Sequence, residues 1–351
     1  AGPEPAGELG ADSAAEPGAA GGTPPLAVAR LERNVTTADV GRWSYTRLMD
    51  TGHAAATTGH AAVPGPDETA GPAPEEEGGG RDEPPTPLQE VAAGGTAFGV
   101  VVHRALETVD PAGPDLEARL RAHLAADPAA RVAGDPAVLA AALARALATP
   151  LDPLLPGVAL GAVPASDRVA ELRFDLPLGD TVRRIDLDRF GTAVAAELGD
   201  DPLAASFVEL GTRVARPRIA GWLTGSLDLL VRTRDADGRP RFTVIDHKTN
   251  VLRGPDGDPA YGPEAMRRAV LAGEYAVQML LYLVAAHRFL RWRQPGYDPA
   301  RDLAGAGLLF LRGLGGPGAP LRDGGRDGVF AWRPPLGAVL RADRLLAEGA
   351  T

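Results

Sequence analysis

Several residue types and patterns are missing from this sequence, and each absence narrows its function. The 351 residues include no cysteine, which excludes disulfide bonds, cysteine-based zinc sites and cysteine-ligated iron–sulfur clusters. There is also no signal-peptide pattern and no apolar run long enough to span a membrane. We therefore expect a cytoplasmic protein whose chemistry involves neither thiols nor a membrane.

Lysine is almost absent. Only one of the 36 Lys and Arg residues is a lysine, Lys248. An arginine guanidinium is planar and stays protonated, whereas a lysine ammonium is a compact charge whose pKa responds to its surroundings. A position that keeps lysine in such a chain is therefore a candidate for chemistry that needs an amine. The alternative is a chance surface lysine at the end of a strand.

The acidic residues are unevenly distributed along the chain. The formal net charge of −10 does not indicate a nucleic-acid-binding protein, but much of the acidity lies in two segments rich in Pro, Gly and Ala. We interpret residues 1–25 as a disordered linker, and residues 53–87 as a disordered insertion within one domain at 26–351. Because the chain starts with this linker and without methionine, we expect it to be part of a longer protein.

The clearest structural signal is a β-hairpin at 221–250. Two apolar, β-branched runs flank the turn sequence Asp-Ala-Asp-Gly at 235–238. Further strands are predicted at 169–178, at 304–313, near 328–333, and before a short helix at 44–49. Helices are predicted at 94–110, 115–126, 136–148, 186–198 and 202–212, and as one long amphipathic helix from Pro263 to Trp292.

Charged residues lie at corresponding ends of the two hairpin strands. Asp228 is on the first strand, and Asp246 and Lys248 end the second. Because paired strands bring these side chains to one end of a small sheet, two carboxylates and an ammonium are expected to meet there. This combination suits hydrolysis of a phosphodiester assisted by Mg²⁺, which favours carboxylate oxygens.

Three further residues are candidate ligands of the metal. Glu171 lies on a neighbouring strand, on the face opposite Phe174, and His103 lies on the helix that precedes the sheet. The main-chain carbonyl of His247 is a third candidate, and Lys248 would orient the attacking water and stabilise the phosphorus centre. Each of these residues also has a simpler interpretation. His103 could be a structural histidine, Glu171 a charge on the exposed face of a strand, and Asp228 a turn cap. The tripeptide Asp-x-Lys alone has weak specificity.

A polar stripe marks the predicted long helix. Tyr275, Gln278 and Tyr282 are spaced i, i+3 and i+7, which places them on one face of an otherwise apolar helix. They are candidates for binding the substrate. The spacing alone favours a solvent-edge stripe, or core tyrosines whose hydroxyls reach the rim.

Seven segments together resemble a known family. They are WSYTRL at 43–48, GTAFGVVVHRALE from 95, GSLDLLV from 225, VIDHKTN from 244, YAVQMLLYLVAAHRFLRWR from 275, LLFLRG at 308–313 and GVFAWRP at 328–334. This set resembles the RecB-type nuclease domain at the C-terminus of the exodeoxyribonuclease V β subunit, within the PD-(D/E)xK nuclease superfamily. The resemblance covers most of residues 26–349 and implies an α/β fold with a small mixed central sheet flanked by helices.

The resemblance also implies roles for individual residues. The family's metal ligands fall on His103, Asp228 and Asp246, with the acidic residue of the earlier strand on Glu171, and its catalytic lysine falls on Lys248. The family's helix motif falls on Gln278 and Tyr282. The resemblance therefore favours a substrate-binding role for the polar stripe over a purely structural one. Related proteins often have tyrosine where this chain has His247, a change of little consequence for a main-chain ligand.

The implied function is that of a Mg²⁺-dependent DNA exonuclease and endonuclease domain of a RecBCD-type helicase–nuclease, acting in double-strand break repair by homologous recombination. Its expected partners are DNA single strands and RecC-like and RecD-like subunits. A helicase portion must be supplied elsewhere, since a Walker A loop needs Gly-Lys-Ser/Thr and the one lysine follows His247. The alternative is a non-catalytic DNA-binding or interaction module of the same complex, whereas an iron–sulfur relative is excluded by the absence of cysteine.

Overall fold

The structure is a computed structural model that describes residues 40–49, 85–91, 93–179, 184–208, 210–214 and 218–348. The predicted linker at 1–25, and all but the last three residues of the predicted insertion at 53–87, lie outside the described residues. The boundary proposed at residue 26 lies outside them as well.

The described strands form one mixed sheet and a separate two-stranded ribbon. Strands β1 to β9 are Val40–Trp43, Pro150–Leu151, Leu155–Ala159, Arg168–Leu178, Ile185–Asp186, Arg218–Arg234, Pro240–Lys248, Leu303–Phe310 and Val329–Trp332. The sheet order is β1-β6-β7-β8-β9, with β4 and β5 also paired to β6 and with β2 and β3 forming the ribbon. β1 is parallel to β6 and β7 is parallel to β8, and the other pairs are antiparallel.

Helices cover both faces of this sheet. Helices α1 to α10 are Tyr45–Met49, Gly95–Thr108, Leu116–Ala126, Pro136–Leu147, Leu187–Leu198, Leu210–Arg213, Pro263–Ala272, Tyr275–Arg293, Pro299–Asp302 and Leu336–Glu348. One buried core joins the sheet to α5, α8 and α10, and a second joins the opposite face to α2, α3 and α4. The expected α/β fold, a mixed sheet flanked by helices, is confirmed.

The β6–β7 hairpin leaves an opening in the sheet. Its turn follows Arg234, where the Asp235 carboxylate accepts hydrogen bonds from the main-chain N–H groups of residues 237 and 239. Paired residues of β6 and β7 end at Leu229 and Ile245. β4 pairs with one edge of β6 along residues 221–231. The other edge of β6 is shared by β1, which pairs with residues 220–223, and by β7. Residues 224–228 of β6 therefore face a gap between β1 and β7.

Along β4 and β6, side chains stop alternating regularly between the two faces of the sheet at the level of this gap. On β6, Leu227 belongs to the core under α8, whereas Leu229 belongs to the core under α2. In a regular strand, residues two apart lie on the same face. Glu171 of β4 lies between Ala170 and Leu172, whose partners on β6 are Leu229 and Leu227, and it has a left-handed φ of 48°. The local departure from strand geometry thus coincides with the two carboxylates.

The prediction of one long amphipathic helix from Pro263 to Trp292 was wrong. The segment is two helices, α7 and α8, bent by 82°, and Glu274 between them has a left-handed φ of 54°. α8 is buried on almost every side along its first sixteen residues, because it lies in the core between the sheet and α10.

Within the described part of the chain, no single helix is long and apolar enough to cross a membrane. Only the bent pair of α7 and α8, taken together, reaches that length and apolar character.

Gly221 should be among the most sensitive positions of the fold. Its φ of 113° suits glycine, and a Cβ there would overlap the carbonyl oxygen of Gly41 on β1. We expect Gly221→Ala to lower the free energy of unfolding by about 3 kcal/mol through backbone strain and this clash, measured by urea denaturation. The matched control is Gly134→Ala, where φ is 90° but nothing lies within 4 Å. Equal losses at the two positions would contradict the prediction.

Candidate active site

A cleft opens where β6 and β7 separate. It has a volume of about 290 Å³ and lies between helix α2 and the sheet. Its lining includes His103 and Glu107 of α2, Glu171 of β4, Asp228 of β6 and His247 of β7. Four of the residues selected from the sequence, His103, Glu171, Asp228 and His247, therefore lie in one cleft, although they come from four different elements.

Asp228 is the centre of the first group of side chains in this cleft. Its Oδ2 accepts a hydrogen bond of 2.8 Å from the main-chain N–H of His247. The same oxygen is 3.4 Å from Nδ1 of both His103 and His247. Burial favours a higher pKa for Asp228, but the positive charge available on His103 and His247, and hydrogen bonds from His247, outweigh it and hold this pKa below its ordinary value. These contacts favour the ionised form of the Asp228 carboxyl.

Glu171 lies at the edge of the same cleft. Its left-handed backbone turns the side chain toward Ser226, whose hydroxyl donates a hydrogen bond of 2.6 Å to Oε2. Burial raises the pKa of this carboxyl, and the Ser226 hydrogen bond only partly opposes the shift. Phe174 of the same strand instead contacts the ring of Tyr282 on the α8 side, so the two residues lie on opposite faces as predicted.

Lys248 and Asp246 form the second group, on the α8 side of the sheet. Lys248 Nζ is 3.0 Å from Oδ2 of Asp246 and donates a hydrogen bond of 3.0 Å to Oε1 of Gln278. It also lies 4.2 Å from the centre of the Tyr275 ring, a cation–π contact. Gln278 in turn donates a hydrogen bond of 3.1 Å to the hydroxyl of Tyr282. The polar stripe of α8 is thus buried around the lysine, and its interpretation as a solvent-edge stripe is wrong.

Burial shifts the pKa of two acidic side chains around Lys248, those of Asp246 and Tyr282. It raises the pKa of Asp246, with the attraction of Lys248 opposing the shift and the negative charge of Asp228 adding to it. It also raises the pKa of Tyr282 well above the ordinary tyrosine value. Tyr282 therefore stays a neutral phenol whose oxygen accepts from Gln278. The amide of Gln278 connects this phenol to the ammonium of Lys248.

The donor chemistry of the two groups fits a divalent cation. Among the residues that the structure describes, no three His, Cys, Asp or Glu side chains converge closely enough to hold a metal ion as they stand. However, the Nε2 atoms of His103 and His247 are buried without a hydrogen-bond partner in the described residues. Such buried nitrogens are usually satisfied, and imidazole nitrogens together with carboxylates are common metal ligands.

Arg312 is a structural residue of the site that sequence reasoning missed. Its buried guanidinium donates hydrogen bonds to main-chain carbonyl oxygens on the segment before α2 and just after β7, those of Leu88, Val91, Ala93 and Thr249. It also lies 4.5 Å from the centre of the Phe98 ring. Burial lowers the pKa of this guanidinium. The residue thus joins the helix that carries His103 to the strand that carries Lys248. Its sequence signal was an arginine directly after the buried run of β8.

The fold and the residues of the cleft fit a nuclease, and comparison with known proteins identifies the family. Residues 76–313 match the family model described as the PD-(D/E)XK nuclease superfamily. The chain belongs to this superfamily, as its motifs predicted.

The most similar relatives that were compared share a more specific name. The chain is 39% identical over 272 residues to the RecBCD enzyme subunit RecB of Mycolicibacterium smegmatis, over 75% of this chain and 25% of that protein. It is 40% identical over 267 residues to the subunit of the same name from Mycobacterium tuberculosis, over 73% of this chain and 24% of the relative. The Escherichia coli protein of that name is 31% identical over 191 residues. The chain spans about a quarter of the length of the first two relatives.

Proposed function

We propose that this chain is the Mg²⁺-dependent DNA nuclease domain of a RecBCD-type helicase–nuclease, and that it hydrolyses phosphodiester bonds of DNA single strands during double-strand break repair. The observation that carries the proposal is the set of two aspartates, a histidine and the single lysine gathered where β6 and β7 separate. The RecB name of the relatives and the superfamily of the chain support it.

The side chains of the two groups have different proposed roles in hydrolysis. Asp228, Asp246 and His103 would hold the cation, with Glu171 and the main-chain carbonyl of His247 completing the ligands. Bound Mg²⁺ supplies charge that polarises the phosphate and lowers the pKa of a water. Lys248 contributes a positive charge beside the phosphorus, where negative charge develops during hydrolysis.

Gln278 and Tyr282 have a positioning role in this proposal. The amide oxygen of Gln278 accepts a hydrogen bond from Lys248, and its nitrogen is occupied by Tyr282. Lys248 is thereby held in one orientation, with the Tyr275 ring against it. Such fixed charges stabilise a transition state without having to reorganise.

The remaining partners are proposed by analogy with the relatives. The domain would span 26–351, act within a longer subunit or beside a separate helicase, and assemble with RecC-like and RecD-like subunits in the cytoplasm. DNA single strands would reach the cleft from that helicase.

The test is degradation of end-labelled linear single-stranded DNA by the purified chain. We expect cleavage with Mg²⁺, no cleavage with EDTA, and recovery when Mg²⁺ is restored. Mg²⁺ binding is followed separately by calorimetry, with Asp246→Asn as a variant expected to bind the ion more weakly. DNA binding by the parent chain without cleavage or Mg²⁺ binding would reject the nuclease and favour the non-catalytic DNA-binding module.

A further inference from the structure

One face of β6 is exposed beside the cleft. On one side of the strand Ile219, Leu223 and Leu227 are buried in the core. Alternation places Trp222, Thr224 and Ser226 on the other side, where the Trp222 residue is 48% exposed. A large aromatic residue in the middle of a strand normally packs against a neighbour. Among the described residues, nothing covers nearly half of the Trp222 surface.

The neighbouring strands add charge to this face. Arg42 of β1 is opposite Trp222, and Arg173 of β4 is opposite Ser226. Arg42 forms a 2.5 Å ion pair with Asp175 of β4, which requires their side chains to share a face. The Asp175 charge is thereby balanced. Arg173 is exposed, and no carboxylate in the described part of the chain is paired with it. We refer to Trp222, Thr224, Ser226, Arg42 and Arg173 as the Trp222 stripe.

The Trp222 stripe leads directly to the cleft. Asp228 comes next after Ser226 in the alternation of β6, and Ser226 donates its hydroxyl hydrogen bond to Glu171 at the cleft edge. Asp228 is six positions after Trp222, which is about 20 Å along an extended strand. The stripe is therefore a continuous, partly exposed surface that ends at the candidate metal ligands.

We propose that the Trp222 stripe binds the DNA single strand next to the cleft, with a nucleobase stacked on the Trp222 ring and phosphates near Arg173 and Arg42. This inference rests on the proposed nuclease function and adds a binding subsite to it. Aromatic rings accept any base by stacking, and arginines attract the backbone without reading sequence. A subsite of this kind holds a strand a few nucleotides from the cut without restricting its sequence.

The composition of the stripe favours nucleic acid over an apolar protein partner. Among the described residues, the register neighbours of Trp222 on this face are Arg42 of β1 and Pro177 of β4, and Thr224 and Ser226 follow along β6 toward Arg173. The core of a protein interface is a contiguous apolar patch depleted in charge. A single aromatic ring among cationic and small polar groups is instead the arrangement found in single-strand-binding grooves.

The test measures binding of fluorescein-labelled oligo-dT in EDTA by anisotropy, so that no cleavage occurs. We expect Trp222→Ala to raise the Kd about 10-fold, and Trp222→Phe to stay within about threefold because a phenyl ring still stacks. The matched control is Trp292→Ala, at a residue 77% exposed near the end of α8, which should leave the Kd unchanged. In Mg²⁺, Trp222→Ala should raise KM for single strands by a similar factor and leave kcat within about twofold.

Each alternative outcome is distinct. Equal Kd for the parent and Trp222→Ala, with the parent still cutting DNA, overturns the subsite and leaves the nuclease proposal intact, as expected if the face docks another part of a longer protein. Equal weakening by Trp292→Ala, or a loss of kcat at constant KM, also overturns it. A parent chain that neither binds nor cuts single strands rejects the nuclease proposal, and the subsite with it.

Discussion

Lys248→Ala is expected to reduce the rate of single-stranded DNA cleavage by about a thousandfold, the usual effect of removing one preorganised charge from a transition state. The ammonium is held by Asp246 and Gln278, each at 3.0 Å, so water cannot replace it in the same orientation. Lys248→Arg should also be severely impaired, because a planar guanidinium cannot occupy the position of a compact ammonium. The measurement is single-turnover cleavage at saturating Mg²⁺.

A loss of folding must be separated from a loss of chemistry in this experiment. Arg326→Ala is the matched control, because it breaks another largely buried ion pair of 3.0 Å, with Asp152, and neither residue lines the cleft. We expect this variant to lose stability and to keep its cleavage rate within about threefold. Cleavage by Lys248→Ala within tenfold of the parent would remove the lysine from the mechanism.

Arg312→Met should have the largest effect on stability. Methionine fills a similar volume but leaves the four carbonyl oxygens that Arg312 contacts without their donor, and each unsatisfied buried acceptor costs about 1–3 kcal/mol before relaxation. Since some carbonyls will find water, we expect the free energy of unfolding to fall by about 4 kcal/mol. Urea denaturation measures this change.

Two further variants make the Arg312 prediction specific. Arg312→Lys keeps the charge but cannot reach both segments, so an intermediate loss of about 2 kcal/mol is expected. Arg293→Met removes an exposed arginine that stacks on Trp292 and should change stability by less than about 0.5 kcal/mol. If Arg312→Met were no more destabilising than Arg293→Met, the carbonyl contacts would not hold the two segments together.

Local patterns predicted the elements on which the site is built. The β6–β7 hairpin follows from a turn sequence between two β-branched runs, and α2 follows from apolar residues at helical spacing. Both signals depend on neighbouring residues, so the placement of His103 on a helix and of Asp228 and Lys248 on paired strands could be predicted without tertiary information.

Features that depend on distant contacts could not be predicted in this way. Arg312 binds carbonyls 219 to 224 positions before it, and main-chain acceptors leave no trace in the sequence. Gly273 caps α7 and is a local stop signal, but the left-handed Glu274 and the 82° bend that follow it depend on packing against the rest of the fold. The left-handed Glu171 is likewise set by its neighbours on β6, since nothing in VAELRF marks a departure from strand geometry.

The burial of Lys248 gives the chain an intrinsic chemical reporter. Lys248 is the only residue among 351 with an amine in its side chain, and it is 8% exposed. An acylating reagent directed at amines can modify only this nitrogen and the N-terminal amino group, which mass spectrometry separates by peptide. The acylation rate of the Lys248 peptide therefore measures how often the buried surroundings of this lysine, formed by Asp246, Gln278 and Tyr275, open to solvent, and binding that closes them can be followed by protection of one atom.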